Sequence, residues 1–363
     1  MSDEQSLLLD TSTRFIDEFL PMERIRALTE GEPVGHEHLS AVAELGWFAM
    51  FVPEDLGGGS VSGDPVADAV LLAQLRGRRL LPEPYVASNA VATALGAAAP
   101  GAVRDSLLAD LAAGKGTATI AVTGDALWGG SDLSAQPSGA DLLLRGTAII
   151  DDPGAEWMLL TAATADGPAQ VLLEAGAVTS RSRRECLDLT RSLEAVDLDG
   201  VAVPPDHVFS EGLDRARDTA SLLSVAESVG AAERLFEMTR EYALDRFAFG
   251  RPIGSFQAIK HLLADVSTVV ESMKAVLAGA TRAVSEMRSY ASEVVSIAAV
   301  YVGERSARMA QDCLQVHGGI GFAWEHDLHL YMRRLTTNAA FYGTTDFHRG
   351  RILAAHAAEL ENA

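Results

Sequence analysis

The chain has 363 residues, enough for two or three domains and a sizeable core. Its 48% hydrophobic and 22% charged content is ordinary for a soluble globular protein. A formal net charge of −21 repels nucleic acid and anionic membrane, so neither is expected as a partner. A phosphate-rich ligand would need a local basic or glycine-rich site working against that field. The two cysteines, Cys186 and Cys313, fit no metal spacing and read as buried thiols in a reducing compartment. MSDEQSLLLD carries acids where an export signal would carry bases, and apolar runs such as ALGAAAPGAV are too short to cross a bilayer. A cytoplasmic protein is the expectation.

Three zones follow in chain order. From Ser6 to about Lys115 apolar residues recur at helical spacing in SLLLDTSTRFIDEFL and ADAVLLAQLRGRRLL, with the Gly/Pro break VPEDLGGGSVSGD between them. Pro82 and Pro84 end the second helix, and a further alanine-rich helix follows. From about Gly116 to His207 short β-type runs, TATIAVTG, ADLLLRGTAII, EWMLLTAAT, AQVLLEAG and LEAVDLDGVAV, predict a small antiparallel sheet or barrel. After Pro204–Pro205 the helical period returns over Asp214–Arg246, Phe256–Arg288, Ala291–Val316 and Leu328–Ala340. Four long helices with short loops predict a bundle.

Two loops of that bundle carry chemistry. In DRFAFGRPIGSFQAIK, Arg246 and Phe249 close one helix, Gly250, Pro252 and Gly254 turn the chain, and Phe256 and Gln257 open the next. An arginine, two phenylalanines and an amide on one tip can hold a phosphate and a flat ring. In QVHGGIGF the glycines at 318, 319 and 321 free backbone N–H groups for an anion. Taken singly, the first loop reads as a capped corner and the second as a helix end. Both on one bundle point to a phosphate-bearing ligand. His317, His326, His329 and His348 fall in separate segments, so no metal site is expected.

RxxFGxPIxxxQ at 246–257 with QxxGGxG at 315–321 resembles the acyl-CoA dehydrogenase family, and AELGWFAMFVPEDLGGGSVS near the N-terminus agrees. The resemblance covers essentially the whole chain. It implies an N-terminal helical domain (1–115), a middle antiparallel β-barrel (116–207) and a C-terminal four-helix bundle (208–363). It implies FAD as cofactor, with the flavin ring on one subunit's barrel and the adenosine-diphosphate end on its neighbour's bundle. Carried over by position, Arg246 would meet the pyrophosphate, and Phe249 and Gln257 would line the adenine and ribitol region. Gln315, Gly318 and Gly319 would contact the adenosine half, and Thr344 and Asp346 fall at further cofactor positions.

The departures lie in the chain's own half-site. Where the family has a Tyr-Glu-Gly-Thr loop with a catalytic glutamate, FYGTTDFHR places Phe341, Tyr342, Gly343 and Thr344. Tyr342 occupies the base position, and a phenol with an ordinary pKa near 10 is a poor base at neutral pH. The alternative family position for the glutamate falls near Ala220, with Ser221 beside it. Glu227, two turns along, is a secondary candidate for a relocated base and otherwise a polar helix residue or interface partner. AVTGDALWGGSDL keeps Val122, Thr123, Ser131 and Asp132 of the flavin-facing strand but loses its Glu-Pro. Ile150 replaces the flavin-side tryptophan, and Asp151–Asp152 read as a solvated turn before Pro153.

Loss confined to one half-site suggests a heteromeric enzyme, with a sister subunit supplying base and flavin platform. Some family members of bacterial steroid side-chain degradation are α2β2 assemblies of this kind with one FAD per pair. The resemblance therefore implies α,β-desaturation of an acyl-CoA, with steroid side-chain esters among the substrates and an electron-transferring flavoprotein as acceptor. Two other readings stand beside it: a self-sufficient homomer using Glu227 or Tyr342 as base, and a non-catalytic acyl-CoA- or protein-binding scaffold.

Overall fold

The structure is a computed structural model and describes residues 1–30, 38–82, 84–121, 133–152 and 154–361. Among the described residues six α-helices come first: α1 (Asp3–Phe19), α2 (Met22–Thr29), α3 (Leu39–Glu44), α4 (Pro65–Arg79), α5 (Tyr85–Ala97) and α6 (Ala102–Ala112). Their ends follow local chemistry. Ser2 and Gln5 form a reciprocal capping box on α1, and Asp64 caps α4 through the Ala67 N–H with Pro65 in the first turn. The alanine-rich α5 is buried nearly all round, which its small side chains permit.

Eight strands follow: β1 (Ala118–Ile120), β2 (Leu133–Ser138), β3 (Asp141–Ile150), β4 (Trp157–Thr164), β5 (Gly167–Glu174), β6 (Ser180–Arg184), β7 (Leu193–Val203) and β8 (Val208–Phe209). They form one sheet in the order β6-β7-β3-β2-β4-β5-β8, with β1 beside β4. The pairing is largely antiparallel; β4 runs parallel to β1 and, at Ser134, to β2. Leu144, Ile150, Leu160, Val171 and Val196 anchor a core of its own inside this sheet, separate from the helical core.

The rest is helical: α7 (Leu213–Asp245), α8 (Gln257–Ser285), α9 (Ala291–His317), α10 (Leu328–Phe341) and α11 (Thr345–Glu361). The helical period at the end of the chain thus resolves into four long helices and a fifth, α11, which begins at the loop under Tyr342. A two-stranded hairpin, β9 (Phe247–Ala248) and β10 (Arg251–Pro252), sits where a plain corner was expected.

α7 is the axis of the molecule. Every residue from Thr219 to Ala232 is buried, because α4, α5, α8, α9 and α10 all pack against it. The crossing with α4 is backbone-close: a Cβ on Gly77 would lie 1.9 Å from the Glu227 carbonyl oxygen, and one on Gly230 would lie 1.9 Å from that of Gln74. Only glycine at both positions permits this approach, and it sets Arg76 of α4 beside Glu227 of α7.

Candidate active site

One end of the bundle gathers the two motif loops. Tyr242, one turn before the end of α7, stacks on His317, the last residue of α9, with centroids 4.6 Å apart and planes 17° from parallel. Burial lowers the His317 pKa from its ordinary value and favours the neutral ring that such a stack accommodates. The stack therefore brings the hairpin after α7 and the glycine turn after α9 to one place. Across that end Arg246, Phe249, Gln257, Gln315 and Gly319 are exposed, and Gly318 is half-exposed.

The hairpin tip is a two-residue turn, Phe249–Gly250, with φ of 53° and 78°. Such turns favour Asn-Gly, and a phenylalanine in the left-handed region costs roughly 1–2 kcal/mol. Phe249 is nonetheless 96% exposed. An aromatic ring in a strained conformation facing open space is an arrangement that function, not stability, explains. Beside it Arg251 lies 4.0 Å over the Phe256 ring. In the glycine turn, a 3-10 segment over Gly318–Phe322, Gly318 has φ 61°, and a Cβ on Gly318 or Gly319 would meet nothing within 4 Å. Open space over bare backbone is what an anionic group needs for close approach.

The second region is a buried polar cluster between the end of β3, the β6–β7 loop, α4, α7 and α10. The Tyr342 hydroxyl donates to Asp151 Oδ2 at 3.1 Å, and Thr119 donates to Asp151 Oδ1 at 3.2 Å. Arg191 Nη1 reaches Asp151 Oδ2 at 3.1 Å while its Nη2 reaches Glu227 Oε2 at 2.8 Å and Asn338 Oδ1 at 3.3 Å. Glu227 also faces Arg76 at 3.5 Å and Arg334 at 3.6 Å. Arg334 Nε donates to Asp188, and its Nη2 donates to Thr190 Oγ1 at 2.6 Å and to the Leu81 carbonyl at 3.0 Å. Three arginines and three carboxylates are thus sealed together, all buried, and their formal charges cancel. Burial alone would raise the Asp188 pKa, but Arg334 and Arg191, with the Thr190 bonds, more than offset it and hold it below the ordinary carboxylate range.

Comparison with known proteins matches residues 2–115 to the acyl-CoA dehydrogenase N-terminal domain and residues 208–357 to the acyl-CoA dehydrogenase C-terminal domain. The chain belongs to the acyl-CoA dehydrogenase family. Among relatives, acyl-CoA dehydrogenase IpdE2 of Mycolicibacterium smegmatis is 30% identical over 94% of this chain and 96% of its own length. Acyl-CoA dehydrogenase FadE34 of Mycobacterium tuberculosis is 32% identical over 84% of this chain but only 40% of its own length. Among solved structures, the ChsE4–ChsE5 complex from Mycobacterium tuberculosis superposes with a TM-score of 0.88 at 26% identity, covering 98% of each chain. A steroid acyl-CoA dehydrogenase variant, Tcur3481–Tcur3483, also scores 0.88, at 24% identity over 98% of this chain and 99% of that one. Members of this family are FAD-binding oxidoreductases.

With the family in hand, the sequence candidates sort by place. Arg246, Phe249, Gln257, Gln315, Gly318 and Gly319 share the exposed end of the bundle, and the open glycine backbone with a basic, aromatic hairpin fits the anionic and flat parts of FAD. Thr344 and Asp346 sit elsewhere, at the start of α11. Thr344 Oγ1 accepts from the Phe347 N–H as a helix cap, and Asp346 is exposed and paired with Arg349 at 3.2 Å. Val122, Thr123, Ser131 and Asp132 lie outside the described residues.

Two expectations are corrected. Asp151–Asp152 is no solvated turn: Asp151 is 2% and Asp152 6% exposed, Asp151 held by Arg191 and Asp152 accepting from the Gly154 N–H at 3.2 Å. A polar pair beside a proline looks like surface, but Arg191, 40 residues further along, compensates the burial of Asp151. Cys186 is half-exposed at the rim of the β6–β7 loop, whereas Cys313 is buried. Sequence reading also passed over Arg76, Asp188, Arg191 and Arg334. The one local signal for them was an arginine at apolar spacing: Arg76 lies four residues after Leu72, and Arg334 lies four after Leu330, both on buried helix faces. Among the described residues no group of three or more His, Cys, Asp or Glu could hold a metal ion.

Proposed function

We propose that this chain is one subunit of an FAD-dependent acyl-CoA dehydrogenase, that it completes the cofactor site of a sister subunit, and that the sister supplies the base. The carrying observation is a contrast. The carboxylates nearest the base position, Asp151 and Glu227, are each locked to guanidiniums beneath Tyr342, while the nucleotide-binding loops stand exposed at the far end of the bundle. A general base must reach a substrate proton, and Glu227 is 0% exposed and faces three arginines. That arrangement counts against the self-sufficient homomer.

In this reading Arg246 holds the pyrophosphate, Phe249 and Gln257 flank the flat and ribityl parts, and the backbone of Gly318 and Gly319 with Gln315 receives the adenosine half. When bound, FAD supplies the hydride acceptor for α,β-desaturation of an acyl-CoA. The chain's own residues contribute charge, a ring and open backbone; proton abstraction belongs to the sister. We take 1–115, 116–207 and 208–363 as the domains, a cytoplasmic setting, an electron-transferring flavoprotein as acceptor, and a steroid side-chain ester as the substrate class. The steroid type of the Tcur3481–Tcur3483 enzyme supports that last choice.

Purifying the chain alone and together with an acyl-CoA dehydrogenase from the same genome that carries the base glutamate tests the reading. Flavin and turnover should appear in the complex only. A yellow, active lone chain would refute it.

A further inference from the structure

The glycine turn of the bundle is held from outside the bundle. After Gly318–Phe322 the chain runs through residues 323–327 before α10 begins, held locally by Ala323 N–H to the Ile320 carbonyl, His326 N–H to the Ala323 carbonyl, Leu328 N–H to His326 Nδ1, and the His329 ring, which stacks on Trp324 and lies 3.2 Å from its carbonyl. Arg26, on α2 of the N-terminal helices, reaches it with three contacts at once. Its Nη1 donates to the Trp324 carbonyl at 3.2 Å, its Nη2 donates to the Glu325 carbonyl, and Nη2 lies 2.6 Å from Asp327 Oδ1. The planar fork of a guanidinium suits this, since one rigid group donates to two successive carbonyls and lies in ion-pair range of a carboxylate two residues on. On the other side the turn is fixed by His317, which stacks on Tyr242 and meets the His326 ring edge-on at 4.9 Å. Both limbs of the turn are therefore pinned by ring contacts, and Arg26 alone of these groups holds the descending limb from the N-terminal helices.

We infer that Arg26 is a positioning residue for the nucleotide clamp: it fixes the limb of the Gly318–Phe322 turn that descends to α10, and so sets the affinity for the anionic end of the cofactor without touching it. This rests on the clamp reading above and adds a residue from a domain that the motifs do not include. The effect runs through geometry, not through charge alone, because the fork's two carbonyl contacts would be lost to an ammonium.

Arg26→Gln and Arg26→Lys, each made in the co-purified complex, test it with two readouts. FAD titration should show a dissociation constant raised about tenfold in both variants, with kcat at saturating FAD unchanged. Hydrogen exchange on the variant chain should show faster exchange confined to residues 318–327, with the melting of α1 and α4 unaltered. Wild-type affinity in Arg26→Lys would show that charge suffices and would overturn the positioning role. Unchanged exchange at 318–327 in Arg26→Gln would overturn it whatever the wild-type complex binds. A wild-type complex without flavin, but with the expected exchange change, would sink the clamp reading and the affinity claim together while leaving the mechanical link in place.

Discussion

Tyr342 and Asp151, 191 residues apart in sequence, meet through a buried hydroxyl–carboxylate hydrogen bond of 3.1 Å. The bond ties the residue at the base position to β3 and, through Arg191, to Glu227 and α7. A side chain that is buried and donating to a fixed carboxylate is held as part of the interior cluster.

Removing that hydroxyl should therefore be felt in stability and not in rate. Tyr342→Phe leaves Asp151 with Arg191 and Thr119 and loses one hydrogen bond to a charged group, a cost of about 1.5–3 kcal/mol. Calorimetry of the complex should show a melting point lower by several degrees, with turnover within twofold of wild type. A large loss of kcat would restore Tyr342 as a base.

Glu227→Gln should be far more damaging. It strips one negative charge from a buried lattice and leaves Arg76, Arg191 and Arg334 facing two carboxylates. Breaking such a pair costs about 3–5 kcal/mol, because the orphaned charge stays buried. Chemical denaturation should register that loss. In the proposed assembly, where the sister subunit takes the proton, the fraction that remains folded and assembled should still turn over. Full stability with abolished turnover is the outcome that would make Glu227 catalytic.

Phe249 offers a test with opposite signs. Phe249→Gly relieves the left-handed strain of the hairpin and should stabilise the apo chain by about 1 kcal/mol. The same change removes the exposed ring and should weaken flavin binding to the complex, read by fluorescence titration. A variant less stable and equally tight would contradict the assignment of this ring to the cofactor.

His348 lies buried behind Gly343, with Nδ1 3.4 Å from Ser296 Oγ. Burial, helped by Arg351, lowers its pKa from 6.5 to about 4, and a backbone bond at Tyr342 opposes them. The folded value is depressed, so the native state favours the neutral ring. Its stability contribution is complete above pH 6.5 and is lost as pH falls from about 6.5 to about 4. Denaturation at a series of pH values should show a decline in this window of up to about 3 kcal/mol. His348→Gln should flatten it.

The elements were largely legible because their signals are local. Helical spacing over Ala291–Val316 anticipates α9 (Ala291–His317) to within one residue, and the alternation in LEAVDLDGVAV marks β7. Gly250, Pro252 and Gly254 mark the turn at 246–257 but not the hairpin within it, since Phe-Gly is a poor match to the Asn-Gly expected for such a turn. α11 is not evident in the sequence because FYGTTDFHR reads as a loop, whereas the helix already begins within it at Thr345.

What the sequence determined by itself is the set of features encoded by neighbours in the chain: the order of helical and β zones, the two glycine-bearing loops, and the absence of a glutamate at 342. What only the tertiary structure decided is where charges end up. Arg76, Asp151, Asp188, Arg191, Glu227 and Arg334 come from five stretches of the chain, and nothing in their local sequence says that they meet. Burying an ion is too costly unless an opposite charge arrives with it, and that arrival depends on how closely α4 and α7 cross at Gly77 and Gly230. The same packing that seals these charges inside leaves the motif loops at the far end of the bundle exposed.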